Sequence, residues 1–239
     1  MKDKKVFFIP KSEEVFDCIK HPQPAKRYIP DWFKQMPQYL LDVDGNKRDG
    51  TAKICPPFTD SFLMGYIQEL PCDILINYNG YDEKNKMDLI EYEWSGDFRP
   101  LSTRLEESRS SRVLPDFNGY YKTEFHWNTL WEPETPVGYS TLYMHPLNRY
   151  DLPFLTLNGV IDTDKWSVSG ALPFLLKHGF QGIIPAGTPI YQTIFIKRES
   201  WSSNAKEYDK RKQSNMGYSV KKFFTGGYKK QYWSKKEYK

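Results

Sequence analysis

Apolar residues along this chain recur mostly at every second position, in short runs bounded by Pro, Gly and Asn, which is the spacing of half-buried strands rather than of helices. Val6, Phe7, Phe8 and Ile9 predict a strand stopped by Pro10. Residues 66–70 and 72–78 form a near-continuous β run, after which Asn79-Gly80 and the polar stretch 81–86 predict a hairpin loop leading into 89–94. In that last run Ile90, Tyr92 and Trp94 fall on one face and Glu91 and Glu93 on the other. Aromatic-rich strands are predicted over 123–131 and 139–145, with a turn over 132–138.

Helical signals are few. Pro30 and Asp31 suit the first turn of a short helix carrying Trp32 and Phe33, and Pro57 suits the start of another that Gly65 is expected to close. Residues 95–118, with Arg104, Arg109, Arg112, Glu106 and Glu107, predict a polar surface loop holding a short helix. Residues 203–224 predict a charged helix broken by Gly226-Gly227. The expectation is a mainly β chain in three parts: a strand and proline-rich docking arm over 1–50, a β core over 51–198 and a basic, helical and aromatic tail over 199–239. Tyr28, Ile29, Trp32 and Phe33 of the arm need a surface to cover them, on the same subunit or a neighbour.

Composition sharpens this picture. Aromatic residues make up 16% of the 239, with 17 Tyr and 7 Trp, so the core must be built from rings. No apolar run reaches the roughly 20 residues of a membrane span, and the apolar part of the first ten residues is too short for a secretory signal. A soluble cytoplasmic protein is expected, with a virion as the other setting and no membrane partner. Cys18, Cys55 and Cys72 lack C-x-x-C spacing, and His21, His126, His145 and His178 lack metal-binding spacing, so reduced thiols and no metal or cofactor are expected. The net charge is +4, yet residues 199–239 hold eleven Lys or Arg against four Asp or Glu. The basic character therefore belongs to the tail, where Lys221, Lys222, Lys229, Lys230, Lys235 and Lys236 alternate with Phe223, Tyr228, Tyr232 and Trp233. Cations beside stacking rings suit single-stranded nucleic acid or a protein partner.

Candidate chemistry concentrates between 136 and 195. Pro136-Val137-Gly138 precedes a strand, His145-Pro146-Leu147-Asn148-Arg149 follows it, and then come Gly159-Val160-Ile161-Asp162-Thr163-Asp164 and Gly187-Thr188-Pro189-Ile190-Tyr191-Gln192. In order and spacing these blocks resemble the dUTP nucleotidohydrolase and dCTP deaminase superfamily. The resemblance implies a β-clip barrel or sandwich, a homotrimer with sites between subunits, a catalytic or sugar-binding role for Asp162, phosphate-side positions for Asn148, Arg149 and Gln192, and Asp164 as a further ligand-binding residue. Mg²⁺ enters only if the chain acts as such a hydrolase. A carboxylate closing an apolar Gly-Val-Ile run is expected to be partly desolvated and more basic, which suits a general base; the same Asp also suits the amides of its own turn. His145 with Asp151 suits acid–base work and Arg149 with Asn148 suits an anion, while a turn held by internal contacts accounts for them equally.

Several positions depart from that superfamily. Pro146 removes a backbone donor from the phosphate block, Lys165-Trp166 stands in place of a nucleoside-holding Tyr, Gly187-Thr188-Pro189 replaces a charged turn, and no Gly-rich closing motif follows. The arm Pro24-Ala25 with Pro30-Asp31-Trp32-Phe33, together with the His-Pro-Leu-Asn-Arg block, also resembles a family of bacterial and tailed-phage proteins of unknown function. The functional expectation is a phage-type structural or assembly protein that oligomerises and docks through arm and tail. The alternatives are a non-standard enzyme or small-anion binder around Asp162, His145 and Arg149, and single-strand binding through the tail.

Overall fold

The alternating runs form antiparallel strands, and the chain is mainly β. The computed structural model describes residues 4–103, 115–166, 170–221 and 227–239. Its first part runs through β1 (Phe7–Pro10), α1 (Glu13–Cys18), β2 (Gln23–Pro24), α2 (Asp31–Gln35), β3 (Tyr39–Leu41), β4 (Lys47–Gly50) and α3 (Pro56–Ser61). Then follow β5 (Tyr66–Glu69), β6 (Ile74–Asp82), β7 (Met87–Trp94), β8 (Leu101–Thr103), β9 (Tyr120–Asn128), β10 (Trp131–Glu134) and β11 (Tyr139–Met144). The last strands are β12 (Phe154–Thr156), β13 (Gly159–Ile161), β14 (Ala171–Lys177), β15 (Gly182–Ile184) and β16 (Pro189–Lys197), before α4 (Lys210–Lys221) and α5 (Gly227–Gln231).

Two compact units result: Met1–Tyr28 with Gly65–Arg198, and Ile29–Met64 with Glu199–Lys239. The larger holds a five-stranded sheet (β13-β11-β16-β5-β2), a four-stranded sheet (β12-β14-β9-β8), a three-stranded sheet (β15-β6-β7) and the pair β1-β10. Its core mixes rings with branched aliphatic side chains such as Leu70, Ile74, Ile76 and Leu176, so the core of rings expected from composition holds only in part. Trp127, fully buried, stacks on Phe174 at 3.7 Å and 8°, and Phe154 meets it edge-on at 4.9 Å. Each such ring contributes about 2–3 kcal/mol of burial. The buried indole N–H of Trp127 donates to Thr156 Oγ1 at 2.9 Å, and that hydroxyl donates on to the Ile190 carbonyl at 2.5 Å, so one threonine links the four-stranded sheet to the five-stranded one.

The smaller unit combines the β3-β4 hairpin with α2, α3, α4 and α5. Phe33, buried, packs against Phe62 at 4.6 Å and beside Phe58 and Trp32. Of the arm residues, Phe33 thus finds cover within its own chain, while Trp32 touches that ring and stays exposed. Lys53 donates to the carbonyls of Phe33 and Lys34 at 2.6 and 2.7 Å, a cation on the otherwise unpaired end of α2.

Several local expectations are corrected. Asn79-Gly80 is not a hairpin turn but a bulge inside β6, where the register slips between Tyr78 and Tyr81 and Gly80 takes φ +107°. The reversal falls at 83–86, because Asp82 Oδ1 accepts the amides of Lys84 and Asn85 at 2.8 and 3.1 Å and so fixes the turn there. Residues 132–134, expected in a turn, are strand: β10 pairs only with β1 among the described residues, so Pro133 costs no bond on its other edge. Residues 101–103, expected in a loop, form β8 on β9, while Arg104, Glu106, Glu107, Arg109 and Arg112 lie outside the described residues. The charged helix starts only at Lys210, where the Asp209 carboxylate accepts the Lys212 amide at 3.0 Å.

Gly65 does not close α3, which ends at Ser61. At φ +69° it lies against β16, and a Cβ there would collide with the Thr193 carbonyl oxygen, so the position needs glycine for both reasons. Gly65→Ala is expected to lower unfolding free energy by about 3 kcal/mol or more, read from urea midpoints. A loss below 1 kcal/mol would mean that β5 and β16 do not approach this closely.

Candidate functional site

The Gly-Val-Ile-Asp block folds as β13, paired with β11 so that Thr141 faces Ile161, which sets Asp162 beside Ser140. The Ser140 hydroxyl donates to Asp162 Oδ1 at 2.6 Å, and Arg198, just beyond β16, lies 3.2 Å from the same oxygen. Asp162 is not the desolvated base that the apolar run predicts. Its side chain is 49% exposed, and the Ser140 hydrogen bond, then Arg198 and Lys165, hold its carboxyl below the usual range. The turn puts the first carboxylate outward and the second inward.

Asp164 is the inward one, with a side chain only 2% exposed. Arg198 grips both its oxygens, Nη1 to Oδ1 at 2.8 Å and Nη2 to Oδ2, and the Gly138 amide donates to Oδ2 at 2.8 Å. Gly138, at φ +86°, aims that amide, as the Pro-x-Gly turn predicts. The fork of Arg198 with the Gly138 amide lowers the Asp164 carboxyl to about 2. Asp164 therefore ties the 135–138 turn to β16 and is not turned toward a ligand.

The second cluster forms at the other end of β11. His145 closes that strand, and both its ring nitrogens serve the backbone: Nε2 meets the Arg149 carbonyl at 2.9 Å and Nδ1 accepts the Thr156 amide at 3.3 Å. Those partners fix the Nε2–H tautomer, and burial pushes its pKa below the ordinary 6.5. Asn148 takes φ +60° in the turn, and the Gln192 side-chain oxygen accepts the Leu147 amide at 2.8 Å, so Gln192 props up the same turn. Arg149 forks onto Asp151 at 2.9 Å through both Nε and Nη2. His145, Asn148, Arg149 and Gln192 do come together.

Asp162 and His145 do not. Ser140, which holds Asp162, and His145 are five positions apart on one strand, about 17 Å at strand rise. A single site around Asp162, His145 and Arg149 is thus two separate clusters, each closed by internal hydrogen bonds. Among the described residues no group of three or more His, Cys, Asp or Glu could hold a metal ion.

One titratable centre has no counterpart in the sequence reading. Glu132 on β10 is buried, accepts the Thr129 hydroxyl, the Gly170 amide at 3.1 Å and the Tyr143 hydroxyl at 3.2 Å, and has its pKa raised by burial. Desolvation likewise raises the Tyr143 and Tyr191 hydroxyls. Its one sequence signal is a carboxylate set between Trp131 and Pro133.

The basic segment folds back on its own unit. Trp233 Nε1 and Lys236 Nζ both donate to Asp60 Oδ2, at 2.9 and 2.6 Å, and Lys235 pairs with Glu237. Lys229 lies 5.6 Å over the Trp233 ring; Lys229 and Lys230 are in the last turn of α5, and Lys221 ends α4. Lys222 and Phe223 lie outside the described residues. No described helix is long and apolar enough to cross a membrane.

Two measurements check these assignments. Asp164 contributes stability that is complete above its ordinary 3.8 and is lost as pH falls through about 2. The melting temperature should therefore drop between pH 4 and 2, and Asp164→Asn should start lower and show a shallower slope, part of the rest coming from Asp162; an unchanged slope refutes the pairing. For His145, lowered in the folded state, stability is complete above 6.5 and falls as pH drops below it. His145→Ala should cost about 2–4 kcal/mol at neutral pH, since two backbone groups lose their partner along with the edge contact to Phe154.

No family model and no curated protein matches the chain. Among solved structures it is similar to the dUTPase from phage phi11 of S. aureus, at 11% identity over 47% of this chain and 99% of that one, with a TM-score of 0.27. At that score the likeness carries no weight for topology or chemistry.

Proposed function

We propose that this chain is a non-standard structural or assembly protein, of the bacterial and tailed-phage kind that its arm and His-Pro-Leu-Asn-Arg block resemble, which works by self-association and docking rather than by turnover. One observation carries the reading: His145, Arg149, Asp164 and Gln192 are each spent on holding turns and strands of their own chain. An enzyme reading would need Asp162 and His145 in one site, and a strand of about 17 Å separates them. The single-strand reading loses support as well, because Lys235 and Lys236 are paired with Glu237 and Asp60.

The surface that suits a second copy is the outer face of the five-stranded sheet. Val160, Leu142 and Ile194 lie in one register line across β13, β11 and β16, and Ile196 follows along β16. Val160 is 58% and Ile196 39% exposed. At the rim, the exposed Asp162 is balanced by Lys165, and Asp164 is paired inward with Arg198, so two copies of this face meet without net repulsion. A homo-oligomer follows from this reading: two copies meeting through this same face close as a two-fold dimer, whereas the trimer that the sequence resemblance favours needs two different patches in contact.

Light scattering of the full chain at tens of micromolar is expected to give a multiple of the 28.3 kDa protomer. Val160→Asp with Ile196→Asp should return it to one protomer with the melting transition intact. Deoxynucleoside triphosphates with Mg²⁺ should show no turnover above the buffer rate. A monomeric parent, or a hydrolysis removed by Asp162→Asn without loss of stability, would overturn the proposal.

A further inference from the structure

The smaller unit is closed by a joint between distant parts of the chain. Asp60, on α3, is largely buried, its side chain 11% exposed, and a single oxygen accepts both the Trp233 indole N–H and the Lys236 ammonium. Trp233 also carries two cations over its ring, Lys229 and Lys236, each at 5.6 Å. Beside Asp60, Phe58 and Phe62 stack with Phe33 and fix α3 against α2. Acceptor and platform are thus rigid, and the donors come from one short stretch with Trp and Lys three positions apart.

The connection to that stretch is of a different kind. Residues 199–209 are outside helix and strand and exposed throughout, and extended they span up to about 37 Å. Moving the stretch that carries α4 and α5 therefore breaks no strand pair: β16 ends at Lys197 and its partners β5 and β11 lie wholly before residue 199. If the stretch left its own Asp60 for the Asp60 of another copy, the indole bond and the ammonium pair would re-form unchanged, and the cation–π contacts of Trp233 with Lys229 and Lys236 would travel with the stretch. Exchange of identical contacts costs little beyond association entropy, which a neighbour held by another interface has already lost.

We propose that Asp60 is the receptor of an exchangeable joint, occupied in the assembled protein by Trp233 and Lys236 of a second copy. This rests on the assembly reading above and specifies its contact. The joint would act as a strap added to the sheet-face association, with the Trp-x-x-Lys pair as its key and the Asp60 carboxylate as its lock.

A carbodiimide, which joins a carboxylate to an amine in contact, tests it on the native full-length chain. Unlabelled and ¹⁵N-labelled protein are mixed equally, unfolded, refolded together, coupled and digested. About half of the Asp60–Lys236 linked peptides should carry one labelled and one unlabelled partner, the statistical value for exchange between copies. Linked peptides of single isotope only, or no such peptide at all, would overturn the joint. As a second measurement that needs no refolding, an Asp60→Asn chain and a Lys236→Gln chain are co-expressed. The surviving Asp60 and Lys236 can then couple only between copies, and a covalent dimer is expected; its absence counts against the proposal. Light scattering of the same samples separates the two ideas: an oligomer with only single-isotope links sinks the joint and leaves the assembly reading, whereas a monomer sinks both.

Discussion

The buried indole of Trp127 sets the constraint that organises the larger unit. A ring stacked between Phe174 and Phe154 with no exposed surface must still give its N–H an acceptor, because an unpaired buried donor costs about 1–3 kcal/mol. Thr156 supplies it and, by passing its own proton to the Ile190 carbonyl, pins β12 to β16. The amide of the same residue goes to His145 Nδ1, which adds the end of β11 to the joint. Three strands of two sheets are thus held at one residue, through its hydroxyl and its amide.

That requirement accounts for how the polar motif residues are held. A turn that must present a neutral imidazole to Thr156 needs its own geometry fixed, and the Gln192 oxygen on the Leu147 amide and the Arg149–Asp151 fork fix it. At the far end of β11 the same logic places Asp164 inside with Arg198, where one buried carboxylate takes two guanidinium donors and a backbone amide. In both places the side chains hydrogen-bond to neighbouring groups of their own chain. Asp162 escapes this because its side chain points outward, but there it has the lowered basicity of a carboxylate paired with a hydroxyl and an arginine, the reverse of what a general base requires.

Much of the strand pattern is legible in sequence because it is a matter of period. The split of β7 into Ile90, Tyr92 and Trp94 against Glu91 and Glu93 needs only the pleat, and Gly138 after Pro136 needs only the positive φ of its turn. What the period does not encode is which of two competing local devices wins. Asn79-Gly80 is a strong hairpin signal, yet Asp82 captures two amides a few residues later and moves the reversal; Gly80 then serves a bulge. Gly65 reads as a helix stop, although the constraint on it comes from β16, more than a hundred residues away. In the candidate site the neighbours His145, Asn148 and Arg149 are readable as one cluster because they are close in sequence. Their separation from Asp162 is set by pairing register, and the burial of Glu132 by contacts to Thr129, Tyr143 and Gly170, none of which residue type reveals.

Charge follows the same division between local and long-range information. The excess of Lys and Arg over 199–239 is plain in composition, but what the cations do depends on the acids they meet. Lys236 is spent on Asp60, and Asp60, largely buried near the end of α3, would be costly if left alone. The pair therefore favours a bound state of the segment over a free one, and screening by salt weakens it less than it would an exposed pair. A basic segment anchored through a buried acceptor has its Lys236 charge committed to that carboxylate. Polyanion binding would have to compete for Lys236 and leave Asp60 uncompensated.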